Sequence, residues 1–543
     1  MKRIFILASL FFAYTAFAQT AEKAPENWFN LDPATNKVNG VGTERTYEEI
    51  LKGKKSKTVI VGVIDSGVDY NHEDLKDVMW TNEKEIPGNG IDDDKNGYTD
   101  DIHGWNFLGG KDGKNVDHET LELTRIYREL KPKYEGKTEK DIDSKDKAEY
   151  ALFLKVKEDF EAETNEANQN MMQLAFIQQL VESMNLRIKD QLKVEKVGVE
   201  EIKQFKPEDA QQKQVLPVLG GMVAQYGDLD SFLDKMEEGS KHFEDMIKYN
   251  LNLEFDPRYI VGDDYKNQTE KYYGNADCNG PSSLHGTHVA GIIAANRSNG
   301  IGVKGVADNV KIMAIRAVPN GDERDKDIAN AIYYAVDNGA TVINMSFGKK
   351  YSYNKKIVDD AVKYAESKDV LIIHAAGNES LNIDEVKHYP CKQFEGGKKE
   401  AKNFVDVGAS SWRPGEELPA EFSNYGKKTV DVFAPGVDIY STNSGGGYIN
   451  ESGTSMACPV TAGVAAVLRS YFPDLSAQDI KKILTKSADT DYKKTEVHKP
   501  GTLPAEDAKQ AVKVKFGDLS VTGGLVNMYN AVQMAMKMSK VKL

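Results

Sequence analysis

The sequence predicts an α/β protein, built on a mostly parallel sheet with helices on both faces and interrupted by a large helical insertion. The first observation is a set of apolar, β-rich runs: TVIVGVID (58–65), KIMAIRAV (311–318), TVINMSF (341–347) and VLIIHAAG (370–377), followed by FVDVGAS (404–410) and VDVFAPG (430–436). Near-continuous apolar strands are buried on both faces, as in parallel sheets. The second observation is that helical patterns, DKDIANAIYYAVDNG (325–339) and NKKIVDDAVKYAESKD (354–369), fall between them. Strand and helix therefore alternate, as crossover connections require. The third is a change of composition over residues 111–272, where Glu, Lys and Gln dominate and no fully buried strand occurs.

Taken in order, the chain opens with Lys2 and Arg3, an apolar run from Ile4, and the small-residue pattern Ala16, Phe17, Ala18. This reads as a signal peptide over residues 1–18, cleaved before Gln19, and predicts a secreted protein, periplasmic or extracellular. The run is shorter than the roughly 20 apolar residues of a bilayer span, and no later segment is long enough, so no stable membrane span is expected. A short N-terminal segment (19–56) leads into the first part of the core (57–110), the insertion (111–272) and the second part of the core (273–536). Inside the insertion, Leu174, Ile177, Val181, Met184 and Ile188 share one helix face, and Phe232, Leu233, Met236, Phe243, Met246 and Ile247 outline another. Helical hairpins are expected there.

The net charge of −14 argues against a nucleic acid partner, which would need a basic surface. Three cysteines cannot form a disulfide framework; Cys278 with Cys391 is the one candidate pair, and Cys458 reads as a small buried residue. The acidic turn GNGIDDDKNGYTDD places Asp92, Asp94, Asn96, the Tyr98 carbonyl and Asp100 at alternating positions, like the first nine of an EF-hand loop. His103 stands where the twelfth-position Glu belongs, so Asp101 or a distant residue has to complete a structural calcium shell.

Three polar residues sit where an α/β core places its chemistry. Asp65 ends the strand VIVGVID, and strand carboxyl ends face the crevice of a parallel sheet. His285 opens the small-residue helix HGTHVAGIIAA, and Ser455 lies at a helix start in SGTSMACPVTAGVAAVL. Singly, Asp65 has an ordinary explanation as the cap of the next turn and Ser455 as an N-cap. A metal pair of His285 and His288 is disfavoured, because it lacks the Glu and the four-residue step of HExxH. An acid, a base and a hydroxyl in one crevice are what acyl transfer by serine requires.

Together, VGVIDSGVD, HGTHVAG and GTSMACP resemble the three signature blocks of the subtilisin-like serine proteases, over about three-fifths of the chain. The order Asp, His, Ser is the one subtilisin itself exemplifies. The resemblance implies a three-layer subtilisin-like fold and a secreted serine endopeptidase acting on proteins or peptides. Asp65 would orient His285, His285 would act as base and then acid, Ser455 would be acylated, and His288 would be structural. Asn378 in HAAGN would complete the oxyanion hole beside the Ser455 amide. Substrate would bind as an added strand, with Ser346, Phe347, Gly348, Ala375, Ala376 and Gly377 walling a primary pocket of broad or apolar preference. Asp322 and Glu323, as exposed acids, would favour basic residues further away. A second calcium site, with Asp74 and Asn299, is implied by the resemblance alone.

The pattern also departs from the family. Asp65 and His285 lie 220 positions apart in this chain, where the family needs only a few tens. The insertion fills the gap as a lid, a partner-binding arm, an internal regulator or a passive decoration. The short segment before the first core strand is too small for the family's usual compact prodomain. The competing reading is a catalytically silent binding scaffold governed by the insertion. Natural substrate and oligomeric state are not legible.

Overall fold

The computed structural model describes residues 23–503 and 511–541, so the expected signal peptide (1–18) and its cleavage point lie outside the described residues. The chain divides into two compact units. One holds Ala24–Glu122, Asp256–Thr502 and the C-terminal segment from Val512; the other is the helical stretch Leu123–Phe255. Residues 111–122 and 256–272, read from composition as insertion, thus belong with the sheet.

The sheet has seven parallel strands: β1 (Val59–Asp65), β2 (Gly104–Asn106), β3 (Val310–Arg316), β4 (Val342–Met345), β5 (Leu371–Ala375), β6 (Phe404–Ser410) and β7 (Val432–Pro435), in the order β2-β3-β1-β4-β5-β6-β7. The chain passes from β3 across β1 to β4, which makes the carboxyl end of β1 a topological switch point, the usual place for a crevice. Two antiparallel pairs lie apart from the sheet: β8 (Ile439–Thr442) with β9 (Tyr448–Glu451), and β10 (Glu496–His498) with β11 (Lys513–Lys515).

In the helical unit, α1 (Glu122–Tyr134) begins at its boundary, and α2 (Lys147–Leu192) is a single 46-residue helix. α3 (Ala210–Tyr226) and α4 (Leu229–Asp245) follow, each capped by an aspartate whose side chain accepts a backbone N–H, Asp209 from Gln212 and Asp228 from Ser231. The stripe Val181, Met184 and Ile188 on α2 is buried against Leu219, Met222 and Val223 of α3 and Leu229 of α4. This unit therefore has its own core.

In the sheet unit, α5 (Leu284–Ala294), α6 (Asp325–Asp337), α7 (Lys355–Ser367), α8 (Thr454–Tyr471), α9 (Ala477–Lys486) and α10 (Met528–Met538) cover the two faces. Successive strand residues point oppositely. Val61, Val63, Ile312 and Ala314 join the core with Val289 and Ile293 of α5 and Val460 and Val464 of α8. Ile64, Met313, Ile315 and Ile343 join Ile328 and Ile332 of α6 and Val358 and Val362 of α7 on the other face. That two-sided burial is why the strands read as unbroken apolar runs.

The N-terminal segment is part of the core. Trp28, Phe29, Val41 and Leu51 lie in the same cluster as β1 and α8, and the Trp28 indole N–H donates to the carbonyls of Val437 and Asp438 at 3.2 and 3.1 Å. Trp28→Ala is expected to cost about 3–5 kcal/mol of stability, as for other fully buried aromatics. Urea denaturation checks this; a loss below about 1 kcal/mol would mean that the segment docks only loosely.

All three cysteines are free, so the Cys278–Cys391 pair does not form; Cys278 and Cys458 are buried, and burial pushes both thiols well up. No helix among the described residues is long and apolar enough to cross a membrane.

Candidate active site

Asp65 is the last residue of β1 and is 2 % exposed. The chain then turns through Gly67, whose φ of +121° belongs to the region glycine favours and whose missing Cβ would meet the Asn279 carbonyl oxygen at 2.0 Å. The start of α5 packs onto this turn so closely that a Cβ on Gly286 would lie 2.1 Å from the Gly67 carbonyl oxygen. That contact delivers His285 to Asp65: its Nδ1 lies 2.7 Å from Asp65 Oδ1, which also accepts the Ser66 N–H at 2.8 Å. Nδ1 therefore carries the proton and Nε2 is left with its lone pair. Burial pulls the His285 imidazole down, but the charge and hydrogen bond of Asp65 more than offset this, and the net shift is upward from 6.5.

His288, one turn further along α5, is fully buried, and its Nε2 donates toward the carbonyls of Ile439 and Ile449 at 3.0 and 3.1 Å. Through Nε2 it ties the helix to β8 and β9. Burial lowers its pKa to about 4. Because the folded state resists protonating it, its stabilising contribution is whole above pH 6.5 and is lost as pH falls through about 4.

Ser455 lies in the first turn of α8. Its hydroxyl donates to the Ser346 carbonyl at 3.1 Å, while the Ser346 hydroxyl donates to the Ser455 carbonyl at 2.8 Å. Ser346 directly follows β4, and Met345 of β4 is in register with Ile64 of β1, so Asp65 and Ser455 meet at adjacent strand ends. Among the described residues the Ser455 hydroxyl bonds to Ser346 rather than to His285. Free enzymes often show such looseness before substrate aligns the groups.

Asn378 follows the end of β5. Its Oδ1 accepts the Thr454 N–H at 2.8 Å and the Thr454 hydroxyl at 2.9 Å, which leaves the Nδ2 donor with no protein partner among the described residues. An atom built as a Cβ on Gly453 would lie 3.5 Å from both Asn378 Nδ2 and the Ser455 nitrogen. Two donors thus flank one point, with Met456 Sδ 3.6 Å from it, the kind of paired arrangement that can hold an oxyanion.

The segments Ser346, Phe347, Gly348 and Ala375, Ala376, Gly377 continue β4 and β5 beside this point. Ser346 and Phe347 are buried, as are Ala375 and Ala376, and the Gly377 N–H donates to the Thr454 hydroxyl at 3.1 Å. The His388 ring lies against both glycines: a Cβ built on Gly348 would meet it at 2.0 Å and one on Gly377 at 2.8 Å.

The sequence matches the subtilase family over residues 56–517. The chain belongs to that family. Among its relatives, a thermophilic serine proteinase of Bacillus sp. (strain AK1) is 42 % identical over 218 residues, covering 40 % of this chain and 48 % of the relative. Subtilisin DY of Bacillus licheniformis is 37 % identical over 216 residues, covering 39 % of this chain and 72 % of the relative. Thermitase of Thermoactinomyces vulgaris is 37 % identical over 206 residues, covering 38 % of this chain and 67 % of the relative. The chain therefore spans about half the length of the first of these relatives.

In this subtilase the acidic residues differ from their sequence reading. Asp100 turns back to cap residues 88–90, its Oδ1 accepting the Gly88 and Asn89 N–H groups and its Oδ2 that of Gly90. Asn96 Oδ1 accepts the Tyr98 N–H, and its Nδ2 donates to Asp101, which also holds Asn82 and the Tyr334 hydroxyl. Burial raises the Asp101 pKa to about 6. A common oxygen cage forms instead from Asp92, Asp94 and Glu85, whose carboxylate atoms lie within 4.8 Å of one another. Glu85 lies upstream of the motif and is carried in by the intervening turn, so loop spacing gave no sign of it.

Asp74 is 1 % exposed and engaged by protein donors: Oδ1 by the Asn299 amide at 2.7 Å and the Asn296 N–H at 3.1 Å, Oδ2 by the Val303 N–H at 3.2 Å. The Asn299 side-chain amide thus donates directly to Asp74. The expected acids for basic substrates are not exposed either. Glu323 is 2 % exposed, burial raises its carboxyl strongly, and its carbonyl accepts the Lys349 ammonium; Asp322 accepts the Glu122 N–H at 2.8 Å. Both serve the framework.

The raised His285 pKa has a kinetic consequence. A base must be unprotonated to act, so kcat/KM for a neutral peptide substrate is expected to fall on the acid side at a pH above the ordinary 6.5. A pH–rate profile checks this, and an acid limb at or below 6.5 contradicts it.

Proposed function

We propose that this subtilase is an exported serine endopeptidase that hydrolyses peptide bonds in proteins or peptides, with the helical unit inserted in its catalytic domain. The observation that carries this reading is the ordered pair of a buried Asp65 and a half-exposed His285, set at the same sheet edge as Ser455 and two free oxyanion donors. Export rests on the pattern of residues 1–18.

The peptide carbonyl enters beside Ser455 with its oxygen toward Asn378 Nδ2 and the Ser455 N–H. The hydroxyl swings from Ser346 to His285 Nε2, which takes its proton as Oγ attacks the carbonyl carbon. Asp65 steadies the imidazolium through Nδ1 without taking the proton. Collapse of the tetrahedral intermediate breaks the C–N bond, and His285 protonates the departing amine. Water then repeats the sequence on the acyl-enzyme and regenerates the serine. A fluorophosphonate probe should label the wild-type protein at Ser455, and the protein should cleave casein. Failure of both on folded protein would remove this reading.

Calcium is the cofactor the family brings to mind, and the Glu85, Asp92 and Asp94 cage fits it in chemistry, being all hard oxygen donors. There it would tie the loop to the turn before it and would stabilise, not react. Chelation is expected to lower Tm by several degrees, corresponding to about 1–2 kcal/mol. Glu85→Gln should make Tm indifferent to chelator; an unchanged wild-type Tm contradicts calcium at this place.

A further inference from the structure

The gap between the ends of β4 and β5 is the place where a substrate side chain has to go. This follows from the proposed function above: if the scissile carbonyl sits on Ser455 with its oxygen toward Asn378, the side chain before the scissile bond drops between Ser346–Gly348 and Ala375–Gly377. Ser455 is anchored on the first segment and Thr454 on the second.

One imidazole spans that gap. A Cβ on Gly348 would lie 2.0 Å from His388 Cε1, and a Cβ on Gly377 would lie 2.8 Å from His388 Nε2. At Gly348 the ring is the nearest obstacle to a side chain, whereas at Gly377 Asn424 Nδ2, at 2.4 Å, and Glu379 crowd the same position together with the ring. The ring is fixed by its neighbour: Tyr389 and Lys349 exchange two backbone hydrogen bonds of 2.9 Å, which lock the residue after His388 to the residue after Gly348. Behind it lies His374, with ring centroids 5.7 Å apart, itself bound to Asp406 at 2.9 Å. At the rim, the Glu379 carboxylate is held by Asn424, 2.6 Å from where a Gly377 Cβ would stand.

We infer that His388 floors this pocket and shortens it, so that the enzyme cleaves after small side chains such as Ala or Ser and rejects Phe, Tyr and Leu. Burial, with His374 beside it, drives the His388 pKa down to about 3, so the plug is neutral at working pH and selects by size rather than by charge.

The test is a panel of peptide p-nitroanilides that differ only in the residue before the cleaved bond, read as kcat/KM for Ala, Ser, Leu and Phe. Wild type should favour Ala over Phe by about tenfold or more, the scale on which a pocket discriminates size. His388→Gly should move the Phe-to-Ala ratio upward by about tenfold or more while a small fluorophosphonate still labels Ser455. A wild-type preference for Phe overturns the inference, as does an unmoved ratio in a folded, labelled variant. If His388→Gly does not fold, the wild-type profile decides alone. Absence of labelling in wild type would instead strike the proposed function, so the two failures are separable.

Discussion

Replacing Ser455 by Ala is expected to lower kcat by about a million-fold, and adding His285→Ala to that variant to cost almost nothing more. The magnitude is the one measured in subtilisin, a protease of the same family, where serine and histidine act as one unit and their losses do not add. The geometry gives the reason. In the proposed mechanism the Asp65–His285 pair takes a proton from one hydroxyl, and without Ser455 that proton is absent. The variant should fold normally, since the Ser455 carbonyl keeps its bond from the Ser346 hydroxyl and only the hydroxyl's own bond to Ser346 is lost. That costs about 1 kcal/mol at most. Steady-state hydrolysis of a chromogenic peptide by both single variants and the double variant measures the outcome. Additive losses would mean that the two residues act independently, and the assigned relay would fall.

What the sequence disclosed, and what it hid, divides along one physical line. The long strands were legible because β1, β3, β4 and β5 are buried on both faces, which leaves continuous apolar runs. Asp65, His285 and Ser455 could be singled out because each sits at the end of an element, the first two beside glycines, Gly67 and Gly286, that close packing demands. β2 left no trace: three residues, Gly104–Asn106, carry too little pattern. Glu85 and His388 were missed for a different cause. Each reaches its neighbours through a loop whose course depends on the whole fold, one joining Asp92 and Asp94, the other lying between Gly348 and Gly377. Glu323 was misread by the same rule, since an acid in a polar run looks exposed until a lysine elsewhere, Lys349, is seen to be buried beside it. The Trp28 segment shows the limit of reading by length: its shortness spoke only against a compact prodomain and gave no sign that Trp28, Phe29, Val41 and Leu51 complete the core.

Removing the second oxyanion donor is expected to lower kcat by about a hundred- to a thousandfold with little change in KM, the scale found for this type of donor in subtilisin. The choice of variant matters, because Asn378 has two jobs. Its Oδ1 holds the Thr454 N–H and hydroxyl at the head of α8, and only Nδ2 faces the point it shares with the Ser455 nitrogen. Asn378→Ala would loosen the helix start and so blur the cause. Asn378→Asp keeps the acceptor and replaces the donor with an oxygen, which repels a developing oxyanion; its kcat loss should be at least as large. Gly453→Ala approaches the same point from the other side. Its backbone is extended, and a methyl there meets Asn378 Nδ2 and the Ser455 nitrogen at 3.5 Å, an ordinary contact that the fold can accept. The methyl would occupy the place the oxyanion needs, so kcat should fall while Tm holds. Combining Gly453→Ala with Asn378→Asp should then add little, because a blocked hole has no use for its donor. If Gly453→Ala instead raised KM at constant kcat, the point between the two nitrogens would be a substrate-binding position, and the oxyanion would have to lie elsewhere.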